Sequence, residues 1–119
     1  MNEMLQIDVQ RINDQTAIID LNGDVTGFAD LPIHDAFDAL SAAGVRNVIF
    51  NFHENNMVYT PGLAIIVNII FEAQQKGQKL LMAIPNLYLQ RIFSLVGISQ
   101  YAKVFSSLEE AKRQALGLQ

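Results

Sequence analysis

Few residues of this sequence are of a type and spacing that could carry out chemistry. His34 and His53 lack the spacing of a metal-ligand pair, and the absence of Cys excludes thiolate metal sites and a thiol nucleophile. His53 precedes Glu54, but a lone pair of this kind in a polar segment is expected to face water. The sequence has neither a phosphate-binding glycine loop nor a nucleophile elbow. We therefore predict no metal site, no cofactor and no enzymatic activity.

The segment Tyr59-Thr60-Pro61-Gly62 presents one hydroxyl in a defined setting. Because Pro61 fits the first position of a helix, Thr60 is predicted to be the N-cap, where its hydroxyl would contribute about 1 kcal/mol. The same place suits a phosphoryl group, since a helix start carries partial positive charge. Two interpretations of Thr60, as a structural cap and as a phosphoacceptor, therefore stay open.

The helix predicted after Thr60 is unusually apolar. From Leu63 to Phe71, Asn68 is the only polar residue. A helix that lies on one face of a sheet normally keeps a polar stripe toward water. We therefore expect this helix to be buried on a second side within the domain, or to present an apolar surface to another protein or to a second copy of the chain.

The hydrophobic pattern predicts the elements that position these residues. Short apolar runs indicate strands and stripes at helical spacing indicate helices, in the order β-β-α-β-α-β-α-β-α. Such alternation is typical of right-handed βαβ units. We predict an α/β fold: a single domain over residues 1–119, with a mixed, mostly parallel β-sheet covered by about four helices. His34 is predicted to face water on the first of these helices.

Composition narrows the class of protein further. The chain has 119 residues, of which 50% are hydrophobic and 17% charged, and this balance excludes intrinsic disorder. The net charge of −4 argues against nucleic-acid binding, which needs a basic surface. The longest apolar stretch is about nine residues, roughly half of what a membrane span needs. With no basic, apolar leader, the predicted location is the cytoplasm without membrane insertion.

The order and spacing of these pieces resemble the STAS domains, the family of anti-sigma factor antagonists. The resemblance extends from about Leu5 to Leu116. The matching pieces are Leu21-Asn22-Gly23-Asp24, Asn47-Val48-Ile49-Phe50, Tyr59-Thr60-Pro61-Gly62-Leu63, Arg91-Ile92-Phe93-Ser94-Leu95-Val96-Gly97-Ile98 and Ser107-Leu108-Glu109-Glu110-Ala111.

This resemblance implies a non-enzymatic switch in a partner-switching pathway. Its partner would be a serine/threonine kinase that is also an anti-sigma factor, and Thr60 occupies the phosphoacceptor position. The implied partner surface combines the loop after the second strand with the second helix. Its predicted residues are Gly23, Asp24, Thr26, Phe28, Tyr59, Thr60, Pro61, Gly62, Ile66 and Ile70.

Two acidic positions of the family pattern are absent here. Tyr59 replaces the Asp before the phosphoacceptor, Pro61 follows it, and Thr26 replaces the last acid of the loop. An unphosphorylated STAS scaffold, or an accessory subunit of a stress-signalling or transporter complex, therefore remains an alternative. A sensor that binds a nucleotide or another small molecule at the helix start is a third.

Overall fold

The computed structural model describes residues 4–117, and these form a five-stranded sheet with four helices. The predicted α/β fold with a mixed, mostly parallel sheet is confirmed. The strands are β1 (Gln6–Arg11), β2 (Thr16–Asn22), β3 (Asn47–Asn51), β4 (Lys79–Ala83) and β5 (Lys103–Phe105). The helices are α1 (Asp30–Ala42), α2 (Thr60–Gln75), α3 (Leu87–Leu95) and α4 (Leu108–Ala115), with short 3-10 helices at Gly27–Ala29 and Ile98–Gln100.

The five strands lie in the sheet in the same order as in the chain. β1 and β2 form the predicted antiparallel hairpin, with Ile7 opposite Leu21. From β2 to β5 all neighbours are parallel. The loops that follow β2, β3 and β4 therefore gather at one edge of the sheet, which we call the carboxyl edge, and the strands begin at the opposite, amino edge.

Both faces of the sheet are covered by helices. The larger core contains Ile19, Phe50 and Met82 on one face, with the buried residues of α1, α2 and α3 packed on them. The smaller core, around Ile49 and Leu81, lies under α4 on the other face. The middle of β3 is apolar without interruption because it is buried from both sides, as predicted.

Polar contacts join α1 to α2 along their solvent-facing rim. His34, predicted to face water, lies on this rim with its side chain 24% exposed, and it is held between two carboxylates that the sequence did not indicate. Nδ1 is 2.7 Å from Oδ1 of Asp30, and Nε2 is 2.9 Å from Oε2 of Glu72 on α2. Burial lowers the pKa of His34, but the hydrogen bonds to Asp30 and Glu72 and the charge of Glu72 outweigh burial, so the pKa is raised above 6.5.

Candidate protein-interaction site

Backbone hydrogen bonds join two loops at the carboxyl edge. Val25, in the loop after β2, pairs in parallel with Val58, in the segment before α2. The Val25 amide donates to the Met57 carbonyl at 2.8 Å, and the Tyr59 amide donates to the Val25 carbonyl at 3.0 Å. The two segments that the family resemblance assigned to a partner surface are therefore one connected unit.

The side chain of Asn56 fixes this unit from inside. Asn56 is 2% exposed. Its side-chain nitrogen donates to the carbonyls of Leu21, at 3.1 Å, and of Gly23, and its Oδ1 accepts from the His53 amide. A buried amide with its bonds satisfied holds the surrounding backbone in one arrangement. Nothing in the local sequence distinguishes Asn56 from its exposed neighbour Asn55.

Two glycines of the predicted partner surface are buried and act by allowing close backbone approach. A β-carbon on Gly62 would stand 2.2 Å from the carbonyl oxygen of Val25. A β-carbon on Gly23, where φ is +123°, would stand 2.6 Å from the carbonyl oxygen of Met4. Gly23 and Gly62 therefore shape the surface from below, where a partner does not reach them.

Thr60 is not the N-cap that the sequence predicted. Tyr59 takes that place with extended backbone and makes no side-chain capping bond, while the Leu63 amide donates to the Tyr59 carbonyl at 2.8 Å. Thr60 is thus the first helical residue and Pro61 the second. Proline fits either position because the amides of the first turn lack intrahelical acceptors. The exposed Thr60 hydroxyl is free of the capping role that would explain its presence structurally.

Large apolar side chains are exposed on the two connected segments that meet at the start of α2. Phe28 is 94% exposed, and Leu31, Met57 and Tyr59 are also exposed. We call the surface formed by residues 23–31 and 57–62 the loop face. Apolar side chains projecting from loops that are themselves rigid are typical of a protein-interaction surface.

The rest of the loop after β2 supports the exposed ring of Phe28. The Thr26 hydroxyl accepts a hydrogen bond from the Phe28 amide at 3.2 Å, and Asp24 is half-buried beside it. A mainly apolar groove of about 540 Å³ runs between this loop and the segment before β1, and Pro32 closes its end. The loop face thus combines a projecting aromatic ring with a groove beside it.

Residues at the start of α3 extend the apolar surface beyond the loop face. Asn86 caps α3 by accepting from the Leu89 amide at 3.2 Å, and its side-chain nitrogen donates to the Glu54 carbonyl at 2.8 Å. Leu87 and Tyr88, next in the chain, are exposed. Neither residue was predicted to belong to the partner surface; a pair of large apolar residues off the core stripe of α3 is the signal that finds them.

The prediction that Ile66 and Ile70 contact a partner was wrong. Ile66 is 0% and Ile70 2% exposed, and both lie in the larger core. α2 is buried over a wide arc because it packs on the sheet and is flanked by α1 and by the segment around Tyr101. Within residues 4–117, no helix is both long and apolar enough to cross a membrane.

The outer side of α2 carries fewer apolar groups than the sequence indicated. Ala64, Asn68 and Phe71 are exposed, while Leu63 and Val67 are half-buried. The ring of Phe71 lies 5.4 Å from that of Tyr101, so part of its apolar area is already covered. A homodimer through the helix from Leu63 to Phe71 stays a prediction, and only these outer residues are available to form it.

His53 contacts a carboxylate on the neighbouring strand, Asp20, and not Glu54. Its Nε2 is 3.0 Å from each carboxylate oxygen of Asp20, and the Asn51 side chain donates to Asp20 at 2.7 Å. The three side chains meet because β2 and β3 pair in parallel with Asp20 opposite Asn51. Within residues 4–117, no set of three or more potential ligands is arranged to hold a metal ion.

The family model described as the STAS domain matches residues 6–111 of this chain. The match covers most of the sequence, and the chain therefore belongs to the STAS domain family. Comparison with curated protein sequences gave no match.

Solved structures similar to this chain share its fold. The protein TM1081, solved by NMR, has 19% identity and a TM-score of 0.76, over 98% of this chain and 91% of its own. The anti-sigma factor antagonist SpoIIAA in its unphosphorylated form has 18% identity and a TM-score of 0.73, over 96% and 99%. The Bacillus cell fate determinant SpoIIAA in the phosphorylated form has 17% identity and a TM-score of 0.71, over 92% and 98%.

Proposed function

We propose that this protein is a non-enzymatic regulator of the anti-sigma factor antagonist type. Its partner is a serine/threonine kinase that also acts as an anti-sigma factor, and the contact is made through the loop face. The observation that carries the proposal is the exposed apolar rim around Thr60, on loops held by Asn56 and by the pairing of Val25 with Val58. A preorganised surface of this kind loses little conformational entropy when it binds.

Phosphorylation of Thr60 would switch this contact. At the first position of α2, a phosphoryl group adds nearly two negative charges where the helix carries partial positive charge. The fold tolerates the group there, while the surface near Phe28 and Tyr59 changes from apolar to strongly anionic. Similarity in fold to SpoIIAA, which is known in unphosphorylated and phosphorylated forms, supports regulation by phosphorylation.

A second candidate function is an unphosphorylated scaffold or accessory subunit. It is favoured by Tyr59 and Thr26, which stand where the family pattern has acids, and by Pro61 after the hydroxyl. Such a protein uses the same loop face for binding but makes no use of the Thr60 hydroxyl.

The two functions are separated by a phosphoryl-transfer experiment. The probe is a serine/threonine kinase of the anti-sigma factor type from the same organism, supplied with ATP, and the readout is the intact mass of this protein. We expect the wild type and Thr60→Ser to gain one phosphoryl group and Thr60→Ala to gain none. Ser94→Ala, which removes an exposed hydroxyl on α3 outside the loop face, is the matched control and should be modified like the wild type.

Binding is measured on the same proteins. We expect Thr60→Glu to weaken the complex by about tenfold or more, or 1.4 kcal/mol, because it places a charge in the contact. A complex that forms equally well with the wild type, Thr60→Ala and Thr60→Glu, without any gain in mass, establishes the scaffold function instead. Absence of both binding and transfer rejects the kinase partner.

A further inference from the structure

A cavity of about 530 Å³ opens at the amino edge of the sheet, on the side of the molecule opposite the loop face. Asn47, Lys79 and Lys103 line it, and these are the first residues of β3, β4 and β5. The cavity arises because β5 begins late: Lys103 stands opposite Leu81, the third residue of β4. The sheet position next to Lys79 is therefore left without a strand.

Among residues 4–117, the charged side chains that line this cavity are two lysines. Lys79 and Lys103 are exposed, and neither ammonium group forms an ion pair with any described residue. No acidic side chain lines the cavity among residues 4–117. Two ammonium groups that line the same cavity attract an anion, and lysine is a common point-charge ligand for phosphate.

Side-chain amides supply the hydrogen-bonding groups of the cavity. Gln74, Gln100 and Gln114 line it together with Gln78. The Gln78 nitrogen donates to the Val45 carbonyl at 3.0 Å and to the Ser41 hydroxyl at 3.0 Å. Because a carbonyl can only accept, the amide orientation is fixed and Oε1 is left as a buried acceptor without a partner in the described chain. Oε1 has almost no accessible surface, so the amides that a ligand can reach are those of Gln74, Gln100 and Gln114, which are exposed.

Apolar surface completes the lining. Tyr101 forms one wall, and contact with the Phe71 ring at 5.4 Å holds its own ring in place. Leu80 and Ala102, both buried, form the floor. A flat aromatic wall suits the carbon–hydrogen face of a sugar ring, and amide groups suit its hydroxyls.

We propose that this cavity binds a small anion that carries several hydroxyl groups, of the sugar phosphate class. Lys79 and Lys103 hold the phosphate, and the exposed amides of the lining hold the hydroxyls. The site is separate from the loop face, although α2 connects them: Thr60 is its first residue and Gln74 lies in its last turn. Sixteen residues at about 1.5 Å each separate the two ends by roughly 24 Å.

The test is a titration of the full chain, labelled with nitrogen-15, followed by amide chemical shifts. Glucose 6-phosphate is the probe. Glucose, which has only the hydroxyl groups, and inorganic phosphate, which has only the anionic group, are titrated separately for comparison. We expect glucose 6-phosphate to shift the amides of Lys79, Leu80 and Ala102, and to bind about tenfold or more tightly than either half. The amides of residues 57–62 should stay in place.

A pair of double variants tests the assignment of the lysines. Lys79→Gln with Lys103→Gln should lower the affinity for glucose 6-phosphate by about tenfold or more, since two charge-assisted contacts are lost. Lys76→Gln with Lys112→Gln removes the same charge outside the cavity and should change the affinity less than about twofold. The spectra themselves report whether each variant is folded.

The other outcomes overturn the proposal. Equal losses in the two double variants would show binding by general charge attraction. Shifts confined to the start of α2 would place the anion at the loop face. Absence of any shift with all three probes would show that the cavity takes no ligand of this class.

Discussion

Gly62, in the first turn of α2, lies so close to the carbonyl oxygen of Val25 that a β-carbon would stand 2.2 Å from it. The start of α2 and the loop after β2 are thus in direct backbone contact, in addition to their hydrogen bonds. A change in the position of one is transmitted to the other, so Thr60 and Phe28 belong to a single mechanical unit.

Substitution of Gly62 by Ala tests this contact. In an unconstrained helix the change stabilises by up to about 1 kcal/mol. Here we expect the free energy of unfolding to fall by about 1–3 kcal/mol, because the backbone must move to admit the methyl group. Urea denaturation measures the change. Gly27→Ala is the control, since its β-carbon would meet Pro61 at an ordinary 3.4 Å and should be close to neutral; equal losses would contradict the explanation.

Removal of the buried amide at Asn56 should destabilise the domain. Asn56→Ala leaves the Leu21 and Gly23 carbonyls and the His53 amide without their partner. Each unsatisfied buried group costs about 1–3 kcal/mol, so we expect a total loss in the upper part of that range or beyond it. The exposed neighbour supplies the control: Asn55→Ala should change the unfolding free energy by less than about 0.5 kcal/mol. Similar values for the two variants would show that Asn56 is not the anchor.

The stability of the α1–α2 contact should depend on pH through His34. The pKa of His34 in the folded protein is raised above 6.5. Its contacts with Asp30 and Glu72 therefore contribute fully to stability below pH 6.5, and this contribution is lost as the pH rises through the folded-state pKa. The wild type should therefore melt at a higher temperature than His34→Gln, and the difference should be largest at about pH 5.5 and smallest near pH 8. The removed contacts lie at the surface and are worth up to about 1 kcal/mol. A difference between the two proteins that does not vary with pH would refute the imidazolium contact.

The exposed ring of Phe28 should matter for binding but not for folding. If the proposed kinase binds the loop face, Phe28→Ala should weaken the complex by more than about 1 kcal/mol, as truncation of a central aromatic does. Calorimetric titration measures this, and thermal unfolding should be unchanged. Leu95→Ala removes an equally exposed apolar side chain at the far end of α3 and serves as control. Unchanged affinity in Phe28→Ala would place the contact elsewhere.

Most of the fold could be predicted because its helices and strands have characteristic local sequence patterns. The continuous apolar run of β3 is typical of a strand buried on both sides. Ser107 followed by Glu110 is typical of a helix start, and the Ser107 hydroxyl accepts from the Glu110 amide at 3.2 Å. Alternation of strands and helices then left parallel pairing as the natural topology.

The site was less predictable because it depends on contacts between distant segments. Burial of Ile66 follows from the packing of α1 and Tyr101 on either side of α2, which periodicity along one helix does not reveal. For the same reason Ile66→Asp is unsuitable as a test of binding, since it places an unpaired carboxylate in the core and unfolds the protein. The contact of His53 with Asp20, and the choice of Asn56 over Asn55, likewise arise only when β2 and β3 are placed side by side.

The agreement between strand order in the sheet and strand order in the chain has a consequence for how the domain is made. Each strand from β2 onward pairs with the strand synthesised just before it. The sheet can therefore form by adding one strand at a time, from β1 toward β5, as the chain emerges. Each pairing closes only a short segment of chain, so the entropy lost in each step is small and no single long-range contact has to form first. This favours rapid folding for a parallel sheet. β5 and α4 are added last, and until then the far side of β4 and the smaller core stay open, so a nascent chain that stalls after β4 is the form most exposed to aggregation.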